Sequence, residues 1–112
     1  MRNIKLFFLI FFLFTLKNDA QSLKNEFVVV VDAGHGGKDP GNRGNGYFEK
    51  NIALKIALNV GQTLSKNGVN VVYTRKKDVF VDLFRRAQIA NEANADLFIS
   101  IHCDAHNSNA YG

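Results

Sequence analysis

The sequence predicts an α/β fold: a parallel βαβαβ portion of a sheet with helices on both faces, truncated at the C-terminus. Short β-branched apolar runs alternate with amphipathic stretches at helical spacing. The runs are apolar throughout rather than every second residue, as in strands covered on both faces. Such strands, joined through helices, form parallel sheets with right-handed crossovers. At 112 residues the chain holds one domain at most.

The first element is a targeting segment. Arg2 and Lys5 precede an apolar run from Leu6 to Phe14, and a polar stretch leads to Ala20. This is the three-part pattern of a signal peptide over residues 1–20. The run is shorter than the roughly 20 residues that a spanning helix needs. An uncleaved anchor is the lesser reading, favoured only by Asn18, a poor residue two positions before the cut. No Cys follows to carry lipid. Arg2, Lys5 and Lys17 against Asp19 take half of the formal +4 with them, so the mature chain is nearly balanced. Its basic residues are spread out, which gives no argument for nucleic acid. A single Cys makes no intrachain disulfide, so a core or a metal must hold the domain together.

Residues 21–26 read as a linker, and residues 27–112 as the domain. Phe27 to Val31 is a buried strand ending at Asp32. Between Gly34 and Gly46 lie six glycines and Pro40, which spell a long loop rather than a regular element. Loops of that length in compact domains are usually functional or disordered. From Glu49 the period changes: Ile52, Ile56, Val60 and Leu64 recur every fourth residue beside Ala53 and Ala57, one face of an amphipathic helix. Gly68 stands where a left-handed helix cap belongs, and Val69 to Tyr73 is the second strand. Asp82 is the N-cap of a second helix with Leu83, Ala87, Ala90 and Asn94 on one side. Leu97 to Ile101 is the third strand.

Ligand sites in such sheets lie beyond the carboxyl ends of the strands. His35 stands just past the first strand, His102 directly after the third, and Glu49 at the first turn of the helix between. Two phosphate-loop readings of this region fail. A Walker loop needs Ser or Thr after Gly37-Lys38, where Asp39 stands, and a dinucleotide fingerprint from Gly34 needs a small residue at that same position. Two imidazoles and one carboxylate, with water as fourth ligand, are an open set for catalytic zinc. Asp32 is a candidate partner for an imidazole N–H, the contact that orients a ligand. Each of the three also has an ordinary reading: a solvated loop His, a Glu favouring the helix dipole, a His ending a strand. Spacing alone leaves both readings open.

The segments GHGGKDPGNRG, EKNIALKIA, VVYTRKKD and LFRRAQIANEANADLFISIHCDA resemble, in unbroken order, the successive motifs of the zinc-dependent N-acetylmuramoyl-L-alanine amidases of bacterial cell walls, the type-3 amidase domain. The resemblance runs from Val28 to Gly112. It implies an α/β domain with one Zn2+ that hydrolyses the amide between N-acetylmuramic acid and L-alanine in peptidoglycan, in the periplasm or at the cell exterior of a bacterium. His35, Glu49 and His102 match the metal ligands, and Arg75 and Arg86 match positions read as structural, pairing with acidic groups. Where the family has a small residue and Asn after the last ligand, this chain has Cys103 and Asp104. Alternation along a strand points Cys103 away from His102. His106 is a further ligand candidate, although Asn107, Ser108 and Asn109 signal a loop.

The resemblance places the family's catalytic glutamate near the far end of its domain, and no Asp or Glu follows Asp104. The expectation is therefore that this chain lacks that glutamate, with Asp104 as a weak alternative base, and does not itself hydrolyse peptidoglycan. A noncatalytic peptidoglycan-binding or regulatory remnant is the alternative.

Overall fold

The computed structural model describes residues 26–104. The expected signal peptide, the linker up to residue 25 and His106 lie outside them. The elements are β1 (Val28–Ala33), β2 (Arg43–Gly44), β3 (Tyr47–Phe48), α1 (Glu49–Lys66), β4 (Asn70–Tyr73), α2 (Leu83–Glu92) and β5 (Leu97–Ile101). The three long-range strands form a parallel sheet in the order β4, β1, β5, so the apolar first strand is central. Val31 pairs with Tyr73 on one side, and Asp32 with Ser100 on the other.

Helices cover both faces of this sheet, as expected for strands apolar on every residue. Val29, Val31 and Ala33 point to α1 and form the core with Ala57, flanked by Leu54, Val60, Leu64, Val71, Tyr73 and Ile99. The opposite face carries Asp32 and Ser100, and Arg86 of α2 reaches it. Asp82 caps α2 by accepting the Arg85 amide, and α1 ends at the Asn67 cap before Gly68 at φ 80°.

The orientation of α1 differs from the expected one. Its buried row is Glu49, Ala53, Ala57 and Gly61, whereas Ile52 and Ile56 are 37% and 42% exposed. Small residues at every fourth position let the helix backbone approach the sheet. At Gly61 the approach leaves no room for a side chain: a Cβ there would overlap the Tyr73 ring. Packing distance outranks side-chain hydrophobicity in choosing the buried face. This rotation also turns Glu49 inward, at the end where β1 and β5 terminate.

The glycine-rich stretch is not one irregular loop. Gly36 and Asp39 form an antiparallel bridge, and β2 and β3 make a two-stranded hairpin whose turn is Asn45-Gly46, at φ 48° and 81°. That pair supplies two successive left-handed residues, as a tight hairpin turn requires.

Candidate metal centre

The ladder between β1 and β5 runs one residue past Ala33, where the Gly34 amide donates to Ile101 O at 3.0 Å. Only a residue without a side chain fits there, because a Cβ on Gly34 would fall on the imidazole of His102. The chain then turns through His35 at φ 58° and returns by the Gly36–Asp39 bridge. The return brings Asp39 back beside His35, with Oδ2 2.8 Å from Nδ1. The hydrogen bond from His35, followed by that from the Gly41 amide, holds the Asp39 carboxyl below the usual aspartate range. An ionised carboxylate only accepts, so His35 Nδ1 donates to Asp39, which directs Nε2 toward Glu49 and His102.

Glu49 is mounted by the same loop. The first amides of α1 are capped by loop carbonyls, Glu49 N donating to Asn42 O (2.9 Å) and Lys50 N to Pro40 O (3.1 Å). In return the Asn42 amide donates to Glu49 Oε2 at 2.8 Å, and the Cys103 amide after β5 donates to Oε1 at 2.9 Å. Burial pushes the Glu49 carboxyl up, but these amides and the two imidazoles outweigh it, and the net direction is down. The carboxylate is therefore ionised and fixed in orientation although it is buried.

His35 Nε2, Glu49 Oε1 and His102 Nδ1 form a nearly equilateral triangle. The edges are 3.0 Å from His35 to Glu49, 3.1 Å from His102 to Glu49 and 3.2 Å between the imidazoles. Donors at about 2.0–2.1 Å from a tetrahedral ion lie roughly 3.3 Å apart, so the triangle matches one face of such a polyhedron. The donor set is two nitrogens and an anionic oxygen converging on one point. His102 is half exposed, which leaves that point open to solvent. The cluster has the capacity to bind one metal ion. Beside it, a groove of about 1020 Å³ runs between α2 and β5, lined by Phe80, Phe84 and Phe98 among others.

The three residues singled out from the sequence are thus brought together. Asp32 is not their partner: its oxygens accept from Thr74 and Ser100 hydroxyls and from Arg86, all on the α2 side of the sheet, and Asp39 holds the imidazole instead. Asp39 and Asn42 contact the candidate ligands, and sequence reading does not single them out. Cys103 contributes its backbone N–H to the site, and its thiol is not among the clustered donors. Asp104 is exposed and outside the cluster. Arg86 pairs with Asp32 as expected for a structural arginine, whereas Arg75, among the described residues, donates to carbonyls alone, those of Ala33, Gly34, Lys50 and Lys77.

One expectation is overturned. The chain is not without a glutamate for its site, because Glu49 stands buried as one member of the His35, Glu49 and His102 triad. An inference of inactivity from a missing glutamate does not hold.

Comparison with known proteins agrees with this geometry. The profile of the amidase family described as N-acetylmuramoyl-L-alanine amidase matches residues 29–112. The chain is 45% identical over 89 residues to the N-acetylmuramoyl-L-alanine amidase AmiA of Escherichia coli, covering 79% of this chain and 31% of that protein. It is 52% identical over 79 residues to the endolysin of Bacillus phage SPP1, covering 70% and 29%. Among solved structures, the amidase AmiC2 of Nostoc punctiforme superposes with a TM-score of 0.73 at 42% identity, over 76% of this chain and 48% of that one. The chain therefore spans about a third of the curated relatives' length and half of the solved one. With the matched region spanning β1 to the His102 edge and the donor triad assembled within it, the chain belongs to the N-acetylmuramoyl-L-alanine amidase family.

Proposed function

We propose that His35, Glu49 and His102 hold one zinc ion, and that this centre serves hydrolysis of the amide between N-acetylmuramic acid and L-alanine in peptidoglycan. The supporting observation is the triangle of donor atoms, all within 3.2 Å of one another, with the His35 proton kept on the far nitrogen by Asp39. An ion of this kind lowers the pKa of water and polarises an amide carbonyl. The protein's own part is to hold and orient. Asn42 and Cys103 fix the Glu49 carboxylate, and Gly34 leaves room for the His102 ring. Asp104, two residues past His102, is a second carboxylate at this end of the sheet for proton transfer.

The test is release of stem peptides with new L-alanine amino termini from purified cell wall, followed by mass spectrometry. Release that requires zinc, stops with a chelator and is lost in His102→Ala supports the reading. Zinc-loaded chain that adheres to cell wall without releasing peptide would overturn it in favour of a noncatalytic binding role.

We further propose that the protein acts outside the cytoplasmic membrane. The basic start and the apolar run from Leu6 to Phe14 support export, and no helix among the described residues is long and apolar enough to cross a membrane. Mass spectrometry of the exported product is expected to find a chain beginning near Gln21. An intact Met1 chain in the membrane fraction would contradict cleavage.

A further inference from the structure

Two arginines are buried beside the centre, and among the described residues only Arg86 pairs with a buried carboxylate, that of Asp32. Arg75 follows β4 and Arg86 lies in α2, and both are almost completely enclosed with Asp32. Enclosing two guanidinium groups against one anion is unfavourable. Burial, and then the nearby Arg86, push the Arg75 guanidinium down from its ordinary pKa. An ordinary structural ion pair needs only one of them, and the destination of their N–H groups shows what the second one does.

The donors converge on three consecutive carbonyls. Ala33 O accepts from Arg75 Nε at 2.9 Å and from Arg86 Nη1 at 2.7 Å. Gly34 O accepts from Arg75 Nη2 and His35 O from Arg86 Nη2, each at 2.7 Å. These are the residues where the chain leaves the sheet and His35 adopts a left-handed backbone at φ 58°. A non-glycine residue holds such a conformation only when its surroundings over-determine it. Arg75 Nη2 also donates to Lys50 O at 2.9 Å, in the turn of α1 that carries Glu49. Asp32, anchored by Arg86, accepts through Oδ2 from the hydroxyl of Ser100, two residues before His102 in β5.

We propose that Arg75 and Arg86, joined through their shared acceptor Ala33 O and with Asp32 held by Arg86, are positioning residues for the metal centre: a buried frame that touches the His35 carbonyl, the Lys50 carbonyl next to Glu49 and the Ser100 hydroxyl two residues before His102, and so sets the spacing of His35, Glu49 and His102. None of the three touches the donor atoms; they act through the chain that carries them. Lysine does not replace Arg75, because one ammonium lacks the planar fork that reaches Ala33, Gly34 and Lys50 at once. This inference rests on the reading of the triad as a metal site.

The experiment uses the full chain loaded with Co2+, which gives a visible ligand-field spectrum, and with Zn2+ in competition with a chromophoric chelator. Wild-type chain that binds neither ion overturns the metal reading itself. Given binding, Arg75→Lys is expected to weaken affinity about 10- to 100-fold, the usual cost of losing support around a ligand, and to change the Co2+ spectrum. Val60→Ala, which trims the packing of α1 far from the frame, is expected to lower the melting temperature and leave affinity and spectrum unchanged. Ser100→Ala removes one hydroxyl of the frame and keeps the falsification open if Arg75→Lys fails to fold; a smaller loss of affinity and a shifted spectrum are expected. Wild-type affinity and spectrum in every folded frame variant would overturn the proposal and leave the arginines structural.

Discussion

His102→Ala is expected to reduce zinc affinity a few hundred-fold while leaving the fold of the metal-free chain nearly unchanged. Four-ligand zinc sites bind with roughly 10–16 kcal/mol, which averages about 3 kcal/mol for each protein donor. Losing one donor of three therefore costs on the order of 100- to 1,000-fold. Among the three candidate ligands His102 is the cleanest to remove. Its side chain is 45% exposed, and its side-chain hydrogen-bond partners among the described residues are the other two donors. Substituting Glu49 instead would strand the amides of Asn42 and Cys103, so a lost ion could not be separated from lost structure. Asp39→Ala provides the graded comparison. It leaves all three donors in place and frees the His35 ring, for an expected loss of about 10-fold, the lower end for a supporting contact. Chelator competition reads both effects, and the melting curve of metal-free protein reads the control. Equal affinity in His102→Ala and wild type would remove His102 from the site.

The strands and the start of α1 are legible because their signals are local: β-branched runs for the strands, and a change of period at Glu49 for the helix. The edge on which His35, Glu49 and His102 meet is legible too, since a parallel sheet puts its strand exits at one end. What escapes is whatever depends on contact between elements. The apolar spacing gives the Ile52 and Ile56 row as strong a claim to the core as the Ala53, Ala57 and Gly61 row, and only the close approach of helix to sheet decides for the latter. The hairpin was hidden by glycine density, although Asn45-Gly46 is a recognised turn pair. Asp39 escapes because its contact needs His35 in the left-handed region, which His enters more often than most non-glycine residues but still too rarely for the sequence to announce it. Asp32 was misassigned for the related reason that its neighbour across the sheet, Ser100, and the arginine above it claim its oxygens first.

That buried pair carries a large stability effect for a single atom exchange. Asp32→Asn keeps the shape of the side chain and removes its charge, leaving the Arg86 guanidinium enclosed without an anion. An exposed ion pair contributes about 0–1 kcal/mol, but here the side chains are 3% and 7% exposed, so screening by water does not apply. Removing one partner of a buried pair costs about 3–5 kcal/mol, against a usual total stability of about 5–15 kcal/mol. The pH dependence fixes the sign. Burial pushes the Asp32 carboxyl up, yet hydrogen bonds from Ser100, Thr74 and Arg86 outweigh it and hold it below the usual range. A carboxyl depressed in the folded state contributes stability that is fully present above its unfolded value of about 3.9 and is lost as pH falls through the folded one. Denaturant unfolding of metal-free wild type and Asp32→Asn should therefore differ by a constant amount from pH 7 down to about pH 5, and the gap should close below about pH 3.9 as the wild type loses the same charge. A gap under about 1 kcal/mol at pH 7 would show that the Asp32–Arg86 pair behaves as an exposed one. A gap that persists unchanged at low pH would show that the substitution acts through shape or hydrogen bonding, with the charge playing no part.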